Sequence, residues 1–424
     1  MNFDILRQKI LEKAIRGELV PQLESEPEVV QIDRCLANAP FSIPKKWRWA
    51  CFSDVIDLIS GRDLEKDKIL TVNNGIPYIT GASQIQDGNI IVNRWTEHPI
   101  VVSKKGDILL TCKGTVGKIA QNNIGEIHIA RQIMAIRPSE KISIGYVTYF
   151  LYYVKNFLVE NAKSMIPGID RKTLLSMPIP LPPIEEQHRI TIRLEGLFKD
   201  LSCAEKSFAD LLTFTKIIKN RVLNKAICGR LVPQLESELC IELPDSQLSD
   251  STIDIPKKWK WVKLKDIFTF IDYRGKTPNK IHEGVRLITA SNIKQGRMDH
   301  SKKVFISNEE YLTRQSRGIS KKGDILFTTE APLGKVAIAD IDNYSAGQRI
   351  ITLQSKKGNN KLYMYFMLSP YFQKLLVSQA TGTTAQGIKA ARLKELVIPV
   401  PPEGEQERIL NKLTALFSFL EIYK

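Results

Sequence analysis

The longest regular pattern in the chain follows a pair of prolines. Between residues 185 and 228, Ile190, Leu194, Leu197, Leu201, Ala204, Phe208, Leu211, Thr215, Ile218 and Val222 alternate spacings of four and three. That is the seam of a helix packed along one face. Gly229 follows, the residue type suited to the turn beyond a helix end. At 1.5 Å per residue the segment predicts a rod of about 65 Å. Two shorter segments carry the same phase: Ile409, Leu413, Leu416 and Leu420 after Pro401-Pro402, and Phe3, Leu6 and Ile10 at the start. Together they predict a second helix split between the chain ends, antiparallel to the first in a pseudo-two-fold arrangement.

The remaining stretches read differently. Short β-branched runs broken by Gly, Asn and Asp predict twisted, mostly antiparallel β structure, among them 76–80, 107–111 and 126–130, then 324–329, 335–339 and 349–353. Helical patterns follow near 144–163 and 360–380. The expected class is therefore α+β: two β-rich globular domains joined by long helices.

The chain is also written twice. Gly17–Glu26 (GELVPQLESE) recurs as Gly229–Glu238 (GRLVPQLESE), and Ile43–Trp49 (IPKKWRW) recurs as Ile255–Trp261 (IPKKWKW), both shifted by 212. Ser103–Thr111 recurs at Ser320–Thr328, and Ile179–Pro183 at Ile398–Pro402. The organisation this predicts is 1–28, the N-terminal part of the second helical region; 29–184, a first globular domain; 185–243, the central helical spacer; 244–402, a second globular domain; and 403–424, the C-terminal helical part.

Charge adds a partner. Across 424 residues, 61 Lys+Arg against 46 Asp+Glu leave +15. Residues 29–184 carry +6 and 244–402 carry +12, while the helical parts sum to −3. Two basic heads on a near-neutral spacer suit a polyanion gripped at two places. The loops at equivalent points of the two copies mix cations with Gly, Thr, Ser, Asn and Gln, which contact phosphates and base edges. They are 60–68, 80–84, 112–118 and 130–132, then 272–280, 289–292, 330–335 and 347–349. Aromatic residues are not concentrated there, which argues against a single-strand stacking platform. Arg62, Lys113, Thr115, Lys118, Arg131, Arg274, Lys276, Thr277, Lys335 and Arg349 are the candidate DNA contacts, chosen by loop position and chemistry.

No catalytic constellation emerges. Glycines spaced G-x-G are absent, Phe270 stands where a phosphate loop ending in Gly275-Lys276-Thr277 needs glycine, and the five histidines are isolated. Asp107 and Asp324 recur in a K-K-G-D turn, where turn bonding accounts for them. Six scattered cysteines fit neither a disulfide framework nor a zinc site and suit a reducing cytoplasm. No apolar run reaches the length of a membrane span, and no signal-peptide layout opens the chain. A self-sufficient methyltransferase or nuclease with diverged motifs, and an adaptor binding acidic lipid, are the competing readings.

The ordered signatures resemble those of a known family. G-x-L-V-P-Q follows each helix (Gly17–Gln22, Gly229–Gln234), I-P-x-x-W opens each domain (Ile43–Trp47, Ile255–Trp259), and I-P-x-P-P with E-Q-x-x-I closes it (Ile179–Ile190, Ile398–Ile409). As a set, over essentially the whole chain, they resemble the specificity subunit of type I restriction–modification enzymes. The resemblance implies two target-recognition domains on a bipartite double-stranded DNA site. It further implies two methyltransferase subunits docked on the helices, restriction subunits in the larger complex, and no active site in this chain. S-adenosylmethionine, ATP and Mg would serve those partners, and no cofactor is expected here.

Overall fold

The computed structural model describes residues 2–29, 39–162, 168–246, 253–275, 277–382 and 386–421. The chain forms two compact units, Met1–Phe208 and Ala209–Lys424, each with its own core. A 44-residue helix, Ile184–Ile227, runs from one into the other. It starts directly after Pro182-Pro183 with Glu185 and Glu186 in its first turn, where carboxylates face the positive end of the helix dipole. At its end Gly229 takes φ +66°, and the N–H of Arg230 reaches back to the carbonyl of Lys225 at 2.8 Å. This glycine-dependent closure satisfies carbonyls that the helix itself leaves free.

In the first unit, a four-stranded antiparallel sheet runs in the order Ile56–Ser60, Ile133–Pro138, Ile108–Thr111, Ile119–Gln121. Strand Ile108–Thr111 is buried on both faces, so its apolar run is continuous. Ile108 and Leu110 face the helix Ile144–Asn161 through Val147, Phe150 and Leu151. Leu109, one step out of phase, packs with Ile79, Ile127 and Ile129 of a second sheet. The second unit repeats this layering. Ile325 and Phe327 pack on its helices, and Leu326 on Ile288 and Ala346.

The sheets are mostly antiparallel, as expected, with one parallel pair per unit among the described residues, Ile76–Ile79 with Ile127–Ile129 and Val285–Ile288 with Tyr344–Ala346. One expectation needs correction. The helical stretch near 360–380 is two helices, Asn360–Leu368 and Pro370–Ser378. Pro370 pushes Ser369 into extended backbone, and the Ser369 hydroxyl then caps the new helix on the N–H of Phe372 at 3.2 Å.

The repeated signatures meet at one junction per unit. In the first, the N-terminal helix Phe3–Ile15 ends at Gly17, φ +76°, against Pro44 and Trp47. Trp47 Nε1 donates to buried Glu186 at 2.9 Å, and Gln22 Nε2 donates to the other oxygen of that carboxylate. Arg189 clamps Glu26 at 2.9 and 2.8 Å. In the second, Gly229 lies against Pro256 and Trp259. Trp259 Nε1 donates to buried Glu405 at 2.8 Å, Gln234 completes that carboxylate, and Arg408 clamps Glu238 at 2.8 and 2.7 Å. The C-terminal helix Glu403–Glu421 packs through Ile409, Leu413 and Phe417 into the core that holds Leu223, Ala226 and Ile227. Among the described residues no helix is long and apolar enough to cross a membrane, and the five described cysteines are free thiols.

Candidate nucleic-acid interface

The loops at the strand ends converge within each unit. In the first, the N–H of Arg62 donates to the carbonyl of Ile129 at 3.0 Å, and a Cβ on Gly61 would run into the carbonyl of Ala130. This ties loop 60–68 to 130–132. The N–H of Cys112 donates to the carbonyl of Gln132 at 2.8 Å, and the amide oxygen of Gln132 sits where a Cβ on Gly81 would lie. Loops 80–84 and 112–118 thereby join the same cluster. His128, fully buried, accepts the N–H groups of Ile100 and Val101 on Nδ1 at 3.3 and 3.2 Å, so Nε2 carries the proton toward the Arg62 carbonyl at 3.0 Å. Burial pulls its pKa below the ordinary histidine value.

In the second unit the equivalent loops surround an open depression of about 330 Å³, lined by Thr277, Lys280, Thr289, Ser291, Lys302, Gln348 and Arg349. Gln348 Nε2 donates to Thr277 Oγ1 at 2.6 Å, joining loops 272–280 and 347–349. The two clusters share construction. Thr80 N–H and Oγ1 both donate to Gln84 Oε1, at 2.7 and 2.8 Å. Thr289 N–H and Oγ1 both donate to Asn292 Oδ1, at 2.9 and 2.8 Å. A loop one residue longer is thus matched by an amide one carbon longer. Thr111 Oγ1 donates to the carbonyl of Thr115 at 2.7 Å and receives the N–H of Lys118 at 2.9 Å. Thr328 does the same with the Pro332 carbonyl at 2.5 Å and the Lys335 N–H at 2.8 Å.

The candidate contacts fall into distinct situations. Arg62, Lys113 and Thr115 are exposed, and among the described residues neither Arg62 nor Lys113 has a carboxylate partner. Lys118 is turned inward, its ammonium donating to the carbonyls of Ala82 and Ile85 at 2.8 Å each, so it fastens loop 80–84 instead of projecting. Arg131, with 70% of its side chain exposed, pairs through Nε with Asp63 at 2.8 Å. Arg274 grips Asp272 with Nε and Nη2, the latter at 2.6 Å. Burial pushes the Asp272 carboxyl up, but that guanidinium and the Arg274 N–H more than offset this and hold it below its ordinary value. Thr277 and Arg349 line the depression, and Arg349 Nε lies 3.4 Å from Glu330. Lys335 occupies the loop position of Lys118 and is half-buried. Lys276 lies outside the described residues.

Asp63 and Glu330, acidic residues of the same loops, lie outside the ten candidates, which are cations and threonines. So do Gln132, Gln348, Ser291, Lys280 and Lys302. A signal existed: Arg131-Gln132 in one copy stands against Gln348-Arg349 in the other, a polar pair in reversed order at the same loop tip.

A duplicated α+β head presenting a basic, amide-rich loop cluster suits a protein that recognises DNA by sequence. The model of the family described as type I restriction modification DNA specificity domain matches residues 44–207 and again 256–424. The chain therefore belongs to that family and is a DNA specificity subunit of type I restriction–modification. The specificity subunit of the type I restriction enzyme MjaVIII from Methanocaldococcus jannaschii is 28% identical over 405 residues, covering 90% of this chain and 88% of that one. The EcoBI specificity subunit from Escherichia coli is 21% identical over 401 residues, covering 91% and 82%. Two solved chains share the fold. One, from work on complex assembly and conformational transition of the type I R-M system, gives TM-score 0.65 at 19% identity, covering 90% of this chain and 93% of that one. The HsdS subunit from Thermoanaerobacter tengcongensis gives TM-score 0.55 at 18% identity, covering 92% and 93%.

Proposed function

We propose that each unit reads one half of an asymmetric, bipartite double-stranded DNA site, and that the long helix sets the unspecified spacer between the halves. The split terminal helix would complete a pseudo-two-fold scaffold on which two methyltransferase subunits dock, with restriction subunits joining the larger complex. Adenine methylation and cleavage would be the partners' chemistry, drawing on S-adenosylmethionine, ATP and Mg, and this chain supplies position and sequence.

The observation that carries the reading is one loop scaffold built twice with different tips. Arg62, Asp63, Lys113, Arg131 and Gln132 stand in one cluster, and Arg274, Thr277, Gln348, Arg349 and Glu330 in the other. Exposed Arg62 and Lys113 suit phosphates, which fix register. Arg131, Arg349, Gln132 and Gln348 suit base edges in the major groove, where arginine matches guanine and glutamine matches adenine. Because the tips differ, the half-sites differ. Methylome sequencing of a host carrying the system should return an asymmetric two-part motif, and a perfect palindrome would overturn the reading.

A further inference from the structure

We infer that Asp63 and Glu330 are specificity-determining carboxylates. Each holds the arginine at its loop tip, Arg131 or Arg349, away from phosphate, so that only a base edge able to re-satisfy the pair is bound productively. The inference rests on the loop clusters being the DNA-reading surface.

The pairing is not a relic of the duplication. Asp63 comes from the first loop of its unit and also accepts the N–H of Arg131 at 3.0 Å, while Glu330 comes from the third loop of the other. At the offset of 212 that relates strands Ile56–Ser60 and Phe268–Asp272, the counterpart of Asp63 is Gly275. At the offset of 217 that relates Ile108–Thr111 and Ile325–Thr328, the counterpart of Glu330 is Lys113. The paired arginines occupy adjacent, non-equivalent positions as well. The same device has therefore been built twice from different residues on a common scaffold. Both pairs are solvent-open: Arg131 and Asp63 at 70% and 46%, Arg349 and Glu330 at 56% and 53%. Such exposed pairs do little for stability.

On two basic heads meant for a polyanion, an exposed carboxylate beside each tip arginine works against affinity. A lone arginine would bind any phosphate, raising every site alike. Paired, its charge is neutralised and the carboxylate repels the backbone. Guanine O6/N7 can still take the guanidinium, and cytosine N4–H can donate to the freed carboxylate. Discrimination then comes from weakening wrong sites more than the right one.

Asp63→Asn and Glu330→Gln, each in the full methyltransferase complex, remove charge and keep shape. With Asp63→Asn, methylome sequencing should find the wild-type site losing its preference over near-matches. Sites altered in one half only should gain methylation by about tenfold, the scale of one base contact. Glu330→Gln should relax the other half, and Asp63→Glu should restore the wild-type set. An unchanged set of sites, equal relaxation of both halves, or loss of methylation everywhere would each overturn the inference. A wild-type chain that directs methylation to no two-part site would instead overturn the underlying DNA reading.

Discussion

Two backbone N–H groups, of Ile100 and Val101, point at Nδ1 of His128, which leaves its proton on Nε2 for the carbonyl of Arg62. The ring therefore holds loop 60–68 in its neutral form. Its pKa in the fold lies below the unfolded value of 6.5. Its contribution is thus present above that value and is lost as pH falls through the folded one. Glu186 and Glu405 have the opposite sign: burial raises both above 4.5, against the Trp47 and Trp259 N–H groups that favour the anion. Their contribution is full below 4.5 and fades as pH rises through the folded values. Thermal melts taken from neutrality down to about pH 5 should show the first unit losing stability through His128, with a partial recovery at the acid end. Glu186→Gln should remove the recovery and leave the loss. His128→Phe, which orphans two N–H groups, should cost about 1–3 kcal/mol at neutral pH and flatten the loss. The junction glycines are a steeper test. A Cβ on Gly17 would sit 2.4 Å from Pro44 Cγ, at φ +76°, and one on Gly229 would sit 2.3 Å from Pro256 Cγ. Gly17→Ala or Gly229→Ala should lower stability by about 1–3 kcal/mol in the unit concerned, measured by denaturant unfolding.

The long helix shows what periodicity can and cannot convey. Its bounds were legible because prolines open it and glycine closes it: residues 185–228 were expected and Ile184–Ile227 form. Its buried face was legible only in part. Ile190, Leu194 and Thr215 of the seam are buried, yet Leu211 and Ile218 are 40% and 45% exposed, and at the far end burial shifts to Leu223, Ala226 and Ile227. A strict heptad drifts about 20° per repeat on a straight helix, so after four repeats the seam stands roughly 80° from its origin. The buried stripe keeps the helix's own period of 3.6. Strand runs such as 107–111 were legible from β-branched content, whereas the parallel pairs were not, because partner choice depends on contacts distant in sequence. The cation candidates were legible by type, but only geometry separates exposed Lys113 from Lys118, which is bound to two carbonyls. If the helix is the ruler, seven residues inserted within 201–214 add about 10.5 Å, close to three base pairs at 3.4 Å each. Methylome sequencing should then find the spacer lengthened by about three base pairs, or methylation lost, with both half-sites unchanged. A fixed spacer at full activity would refute this role.

At the scale of the molecule, the two junctions matter more than the two heads, because they are nearly identical while the heads are not. Trp47, Gln22, Glu26 and Arg189 around Glu186 correspond to Trp259, Gln234, Glu238 and Arg408 around Glu405, with glycine against proline in both. A head is thus attached by contacts that do not depend on which loops it carries. A chain in which 244–402 is replaced by a second copy of 29–184 should therefore fold with both junctions intact. Its two reading surfaces would be the same, and under the pseudo-two-fold scaffold proposed above the half-sites would face each other in opposite orientation. The expected methylome motif is a palindrome built from the first unit's half-site, with the second half-site lost. The exchange also replaces a +12 domain with a +6 one, so DNA binding by the chimeric complex should weaken less steeply with salt than the parent. Retention of the original asymmetric motif would mean that recognition lies outside the exchanged loops. A palindrome with unchanged salt dependence would mean that the extra cations of the second head do not touch DNA.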